Sequence, residues 1–256
     1  MNENKIYLKV AQDMYLSQFF WTISFLGILL FISIVRLLLG LQGDEAEGFF
    51  NSVFVASNIY MFIIGILAVY FLSYFVGNGV TRKDYFLGAT IASVGLSITI
   101  PIITIIVYFI EKMIFNLIGF QYKVPTINEI ELDGNIIGDT FQMMILSPYV
   151  SPHENWLIAS VILGLNIFVA YLFGWFISSC FYRYDKIVGL ISIVLVVALK
   201  MLKDTLLRIA IDLPAIGWFE SLEVLPASVS IVCILFLAVI ILFIIRQATK
   251  RVAIKL

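Results

Sequence analysis

Six long apolar runs occupy most of this chain and restrict its fold more than any other feature. They are residues 19–39, 52–76, 85–110, 156–177, 187 to about 207, and 226–245. A run of about 20 apolar residues is long enough to cross a bilayer as a helix. Hydrophobic residues make up 62% of the chain and charged residues 13%, which excludes a water-soluble domain. The sequence therefore predicts an all-α membrane protein, 1–256, with six transmembrane helices in one domain.

The fifth run is the weakest of the six. Its uncharged part, 187–199, ends at Lys200 and is only about 20 Å long as a helix. The hydrocarbon core of a bilayer is about 30 Å thick. The fifth helix must therefore carry charge into the membrane or its edge.

The basic residues predict the orientation of the spans. With both termini in the cytoplasm, the inner side holds ten of the sixteen basic residues, namely Lys5, Lys9, Arg82, Lys83, Arg183, Lys186, Arg246, Lys250, Arg251 and Lys255. An excess of Lys and Arg in cytoplasmic loops is the usual signal of membrane orientation. We therefore expect six spans with both termini cytoplasmic.

The N-terminal segment 1–18 is amphipathic. Lys5, Lys9 and Asp13 fall on one helical face, and apolar residues including Val10 fall on the opposite one. A helix of this kind lies in the membrane interface. It is either a simple anchor or an elbow helix that also helps to build a docking groove for a partner.

A short basic turn, 79–88, separates the second and third runs. Thr81 followed by Asp84 has the spacing of a capping box and predicts a helix start. Arg82 and Lys83 then occupy the first helical turn and project into water. Because cations there oppose the helix dipole, the pattern suggests that this turn docks a partner.

Two regions on the outer side are unusual. Segment 111–155 is the longest stretch outside the runs, and loops of this length are commonly functional or mobile. In segment 200–223, Lys200, Lys203 and Arg208 share one helical face and a proline follows. This pattern predicts two amphipathic half-helices, which either dip into the membrane as a re-entrant pair or lie at the interface with snorkelling lysines.

Catalytic and metal-binding chemistry is hard to build from this chain. The single histidine, His153, lies in the outer loop, so a two-histidine metal site is excluded. No G-x-x-x-x-G-K-[ST] motif occurs, so the chain has no P-loop for ATP. A Ser–Lys hydrolase using Lys200 or Lys203 stays open, but the pattern favours a non-enzymatic membrane subunit without a cofactor. Asn58 and Asn166 are the only amides within the clear spans.

The six spans, the amphipathic N-terminus, the G-x-T-R-K-x-Y-F-x-G turn and the broken amphipathic pair together resemble the permease subunits of type-2 ABC exporters. The resemblance covers nearly the whole chain, and its most specific part is 79–88. It implies that this turn is a cytoplasmic coupling helix that docks on an ATPase, with a lesser contact from the second inner loop. The implied coupling residues are Thr81, Arg82, Lys83, Asp84, Tyr85, Arg183 and Asp185.

The resemblance also implies partners and a location. Two copies of an ATPase subunit would bind ATP and Mg²⁺, and a second six-span permease, identical or a sister chain, would complete the complex in a bacterial plasma membrane. No nucleic-acid partner is expected. The re-entrant pair would line the pathway, with Lys200, Lys203, Arg208 and Asn166 as possible pathway residues.

The expected function is export of an amphipathic or hydrophobic cargo. An antimicrobial or toxin-like peptide is the first choice of cargo, with a drug as another, and self-immunity or antibiotic resistance is the expected consequence. Flipping of a lipid-linked glycan is a less favoured cargo reaction. The alternative is an ATP-independent channel or secondary carrier, and an intramembrane hydrolase is a more distant one.

Overall fold

The computed structural model describes residues 6–39, 45–46, 48–118, 121–122, 147–215 and 217–250. Its α-helices are α1 (Ile6–Leu38), α2 (Phe49–Gly77), α3 (Arg82–Ile118), α4 (Pro152–Arg183), α5 (Lys186–Ala210) and α6 (Ala227–Lys250), and a 3-10 helix spans Gly217–Val224. Two short strands, β1 (Glu45–Ala46) and β2 (Gln121–Tyr122), pair in parallel. The predicted all-α class is confirmed for this part of the chain.

Five of these helices are long and apolar enough to cross a membrane: α1, α2, α3, α4 and α6. By the length and apolar composition of its helices, the chain is therefore a multi-pass membrane protein. Helix α5 has 25 residues but is not among these five, because the charged residues from Lys200 onward interrupt its apolar stretch. Of the six predicted spans, the five clear ones are thus confirmed by length and composition, and the fifth run differs as predicted, because of the charges from Lys200 onward.

Helices α2 and α4 form the centre of the bundle. A Cβ atom on Gly65 of α2 would overlap the backbone carbonyl of Tyr171, and one on Gly174 of α4 would overlap that of Phe62. The two glycines therefore let the helix backbones touch, as small residues do between membrane helices. Trp175, which is the largest fully buried side chain among the described residues, lies beside this contact.

Helices α1 and α3 form a second close pair. A Cβ atom on Gly88 would press on Val10, and one on Gly95 would lie 3.0 Å from the ring of Tyr15. Ala92, between these glycines, is buried. The small-residue stripe on the third span thus permits close helix contact.

The N-terminal segment does not form a separate elbow helix. Residues 6–38 are one continuous helix of 33 residues, which is about 50 Å long. This exceeds the hydrocarbon thickness of about 30 Å, so the helix is long enough to hold a span and additional N-terminal turns. Val10 and Met14 are buried against the bundle while Lys9 and Asp13 are exposed, so the two faces fall as the pattern predicts.

Both boundaries of the predicted outer loop 111–155 are corrected. Helix α3 continues to Ile118 because Glu111 has a partner: its carboxylate accepts the backbone N–H of Phe49, the first residue of α2, at 2.9 Å. At the other boundary α4 begins at Pro152, and Asn155 caps its main part by accepting the N–H groups of Leu157 and Ile158. Residues 123–146 of the loop lie outside the described residues.

The predicted pair of half-helices in 200–223 is also corrected. Its first half is not separate, because Lys200–Ala210 completes α5. The helix then ends in a Schellman turn, in which Asp212 has a φ of 59° and the N–H of Leu213 bonds the carbonyl of Arg208 at 2.9 Å. This geometry satisfies the last carbonyls of a helix. The 3-10 helix follows as the second half.

Candidate functional site

The predicted capping box at the α2–α3 turn is confirmed. Gly79 adopts a φ of 86°, a left-handed conformation that glycine takes without strain. The hydroxyl of Thr81 accepts the backbone N–H of Asp84 at 3.1 Å and donates to the Asp84 carboxylate at 2.6 Å. The turn is therefore a rigid start for α3.

The five turn residues implied as coupling residues do not share one environment. Thr81 and Lys83 are exposed, and Arg82 and Asp84 are half-buried. Tyr85 is fully buried: its hydroxyl donates to the carbonyl of Ala68 at 2.6 Å. Tyr85 is thus a core residue that packs α3 on α2, and it offers no docking surface here.

Two arginines fasten three helix ends together at the same end of the bundle. Arg183, in the last turn of α4, donates to the carbonyls of Gln247 and Ala248, the latter at 3.1 Å. Arg246 of α6 donates to the carbonyl of Arg82 at 3.0 Å, and its guanidinium lies over the ring of Phe86. The ends of α4 and α6 and the start of α3 therefore form one network, which we call the arginine network.

The remaining predicted residues at this end are peripheral to the arginine network. Asp185 is exposed just before α5 and makes no capping hydrogen bond. Lys9 and Asp13 are exposed on α1, and Lys5 lies outside the described residues.

The charged face of α5 points into the bundle rather than toward water. Lys203, Asp204 and Arg208 are only 3%, 8% and 5% exposed. Apolar residues on the opposite face are exposed instead, with Ile187 and Val194 at 71% each. Of the two predicted alternatives, the interfacial position with snorkelling lysines does not fit this burial, because the polar face pairs with protein groups.

Those partners make a compact polar cluster. The Asp204 carboxylate pairs with Lys200 at 2.5 Å and with Lys203. The Lys203 ammonium also donates to the Oδ1 of Asn166 on α4 at 2.7 Å. Three of the four predicted pathway residues thus come together, and we call Lys200, Lys203, Asp204 and Asn166 the lysine cluster.

Arg208, the fourth predicted pathway residue, contacts the turn that follows α5. Its Nε donates to the carbonyl of Pro214 at 2.7 Å, four residues after α5 ends. This bond ties the turn back onto the helix that precedes it. Arg208 therefore stabilises the end of α5.

A cavity of about 310 Å³ borders the lysine cluster, between α2, α4 and α5. Its polar end carries Asn58, Ser147, Asn166, Lys200 and Lys203. Its remaining walls are apolar and include Phe62, Phe173 and Val196. The arrangement suits a molecule that is polar at one end and apolar at the other.

The role of the buried residue Asn166 could not be predicted from sequence patterns. Asn166 is one of the two amides in the clear spans, but its pairing with Lys203 joins positions 37 residues apart. The sequence does show that the charges of α5 all lie on one face of an otherwise apolar helix. A membrane helix of this kind must bury its charged face against protein. Among the described residues, no three His, Cys, Asp or Glu side chains come together as metal ligands would.

Comparison with known proteins leaves the family open. No protein-family model matches the chain, and neither the curated proteins nor the solved structures give a match.

Proposed function

We propose that this chain is the permease subunit of an ATP-driven exporter of the type-2 ABC kind, and that it forms the pathway for an amphipathic or hydrophobic cargo. The single observation that carries the proposal is the capped basic turn at the start of α3, held by Arg246 within the arginine network. A partner that pushes on this turn moves a long rigid helix. Such a connection is what a separate ATPase needs in order to drive transport.

The arginine network also supports a sixth crossing. Arg183 brings the C-terminal ends of α4 and α6 to the same end of the bundle. If α4 and α6 both cross the membrane toward that end, the segment between them must return the chain to the other side. Helix α5 has 25 residues, or about 38 Å, which exceeds the hydrocarbon thickness of about 30 Å. We therefore assign α5 as the charged sixth span.

Cysteine labelling tests this topology. In a chain with Cys180 and Cys233 replaced by serine, Asp185→Cys and Asp212→Cys each place one thiol at an exposed position at either end of α5. Six crossings predict that an impermeant maleimide labels the two variants from opposite sides of the membrane. Labelling of both from one side contradicts the sixth crossing.

The end that carries the arginine network is assigned to the cytoplasm of a bacterial cell. Lys83, Lys186 and Lys250 are exposed there, and cytoplasmic ends of membrane proteins are enriched in basic residues. Thr81 and Lys83 offer the most exposed contact for an ATPase, with Asp185 nearby in the chain's other inner turn. A second six-span chain would complete the pathway.

Charge reversal tests the docking assignment. Lys83→Glu should abolish co-purification of a P-loop ATPase from the native membrane while the chain still inserts and purifies. Lys250→Glu is the matched control, since it reverses an exposed lysine at the same end but off the turn. Equal recovery of the ATPase by wild type, Lys83→Glu and Lys250→Glu contradicts docking at the turn.

A second candidate is an ATP-independent channel or secondary carrier. The observation in its favour is the lysine cluster, because ionisable residues within membrane bundles commonly mark ion and substrate paths. Reconstitution of the chain alone separates the two functions. Flux of an ion or solute across vesicles without ATPase or nucleotide supports the carrier, and its absence together with ATP-dependent flux in the complex supports the exporter.

A further inference from the structure

We propose that the groove between α1 and α2 binds an amphipathic organic cation. The alkylated ammonium group of this ligand lies beside Asp13, and its apolar chain lies against the rings of Trp21 and Phe71. The site depends on this groove alone, so it stands whether or not the chain is a permease subunit.

The groove is large enough for such a ligand and is rich in aromatic residues. Its volume is about 620 Å³, within the range of ligand pockets, which is about 300 to 1,000 Å³. Its walls carry five aromatic residues, which are Trp21 from α1 and Tyr70, Phe71, Tyr74 and Phe75 from α2. Tyr70 and Tyr74 are 74% and 64% exposed, so a ligand can reach their rings from the surface of the bundle.

The exposed rings favour a cation. Trp21 is 45% exposed, and its ring centroid lies 6.2 Å from that of Phe71. The faces of tryptophan and tyrosine rings attract cations, and sites for quaternary ammonium groups are commonly built from them. An alkylated ammonium group needs few hydrogen-bond acceptors. It therefore suits walls that are mostly aromatic.

Asp13 supplies the negative charge. It is exposed, and it is the only charged side chain that lines the groove within the described ranges. No ion pair or hydrogen bond in the described part of the chain engages its side chain. Lys9 lies one turn earlier on α1 but does not line the groove, and a cation four residues before an anion is the weaker orientation of such a pair. The Asp13 carboxylate is therefore accessible to a ligand.

The order of residues along the two helices gives the groove a polar end and an apolar end. Trp21 of α1 contacts Phe71 of α2. Phe25, one turn later on α1, stacks on Tyr60, which lies earlier on α2, so the two helices are antiparallel. Asp13 precedes Trp21 by two turns, about 12 Å along the helix, and so lies toward the C-terminal end of α2. A ligand with a charged head and an apolar chain of about this length matches both ends.

Photo-crosslinking of the full chain in an uncharged maltoside detergent tests the site. The probe is decyltrimethylammonium with a diazirine in its alkyl chain, and mass spectrometry locates the adducts. We expect adducts on residues 13–21 and 67–75. Unlabelled decyltrimethylammonium should compete about tenfold better than its uncharged analogue, in which a tert-butyl group replaces the trimethylammonium, because only the charged head gains cation–π and ionic attraction.

Two results of this competition overturn the proposal. Equal competition by the charged and the uncharged compound indicates simple apolar partitioning. Competition by decylphosphocholine as strong as that by decyltrimethylammonium indicates a zwitterionic lipid head group instead of a net cation. We expect decylphosphocholine to compete more weakly, because no lysine or arginine among the described lining residues can bind its phosphate.

A charge variant tests the head-group position. Asp13→Asn keeps the shape of the side chain but removes its charge, so labelling should fall about fivefold, as expected for one ion pair at about 4 Å in water. Asp185→Asn is the matched control, because it removes an exposed carboxylate that does not line the groove. Wild-type labelling of Asp13→Asn overturns the proposal.

A ring variant tests the aromatic wall. Tyr74→Leu keeps the wall apolar but removes an exposed ring, so labelling should fall about threefold. Tyr74→Phe keeps the ring and should label like the wild type. Phe31→Leu is the matched control, since it removes a ring of α1 that is 66% exposed and lies outside the groove. Equal labelling of Tyr74→Leu and Tyr74→Phe overturns the proposal.

Discussion

The arginine network and the lysine cluster place similar charges in opposite surroundings. Arg183 reaches backbone carbonyls at the C-terminal end of α6, where a cation complements the helix dipole, and Arg246 reaches the carbonyl of Arg82 at the start of α3. Lys203 and Asp204 are buried between helices and pair with each other. The arginine network therefore holds helix ends in place near water, whereas the lysine cluster keeps charged groups buried at a cavity, where apolar residues could stabilise the bundle as well.

The largest effect is expected in the lysine cluster. Asp204→Asn leaves the ammonium groups of Lys200 and Lys203 without their shared carboxylate. Removing one partner of a buried ion pair costs about 3–5 kcal/mol, so the free energy of unfolding should fall by about that amount. Thermal unfolding of the purified protein measures it.

The matched control is Asp185→Asn, which removes a carboxylate from an exposed position before the same helix. Surface changes of this kind stay within about 0.5 kcal/mol. Equal unfolding of the two variants would contradict a buried, charged Asp204.

A smaller loss in the free energy of unfolding is expected when the arginine network is disrupted. Arg183→Ala removes hydrogen bonds from a cation to two carbonyls at the end of α6, which should cost about 1–2 kcal/mol. Lys186→Ala is the control, since it removes an exposed cation from the next helix. Hydrogen exchange should show the added opening at the last turn of α6, and unchanged protection there would contradict the network.

Salt should separate the two regions. Raising the ionic strength from about 0.05 M to about 0.5 M shortens the screening length severalfold. The cost of Arg183→Ala should shrink at the rim, while the cost of Asp204→Asn should stay constant. The free energy of unfolding of both variants, measured at both salt concentrations, tests this difference. The same salt dependence for both variants would contradict it.

The smallest effect concerns the turn that ends α5. Asp212 adopts a left-handed conformation with φ 59°, which a glycine takes more easily. Asp212→Gly should therefore raise the free energy of unfolding by about 0.5 kcal/mol, and Asp212→Ala should lower it. A shift of the same sign in both variants would contradict the strained turn.

The sequence predicted the features that depend on neighbouring residues. The capping box of Thr81 and Asp84, the small-residue stripe on α3 and the two faces of the N-terminal segment follow from spacing along one helix. Five of the six spans follow from apolar length alone.

The features that sequence reasoning missed depend on distant partners. The spacing of the charges on α5 is the same whether that face meets water or protein. The contact of Lys203 with Asn166 on α4 shows that it meets protein. The end of α3 was placed too early, because Glu111 looks like a loop residue until the N–H of Phe49 is known to bind it. Residues 6–18 continue without a break into the first span, a continuity that the spacing of their polar residues does not reveal.

The central claim is that this chain works with a separate ATPase. The most direct measurement is the native mass of the complex purified from its own membrane in mild detergent, with every chain identified. We predict two copies of a P-loop ATPase beside two six-span subunits. Recovery of this chain without any ATPase, in several mild detergents, would contradict the claim.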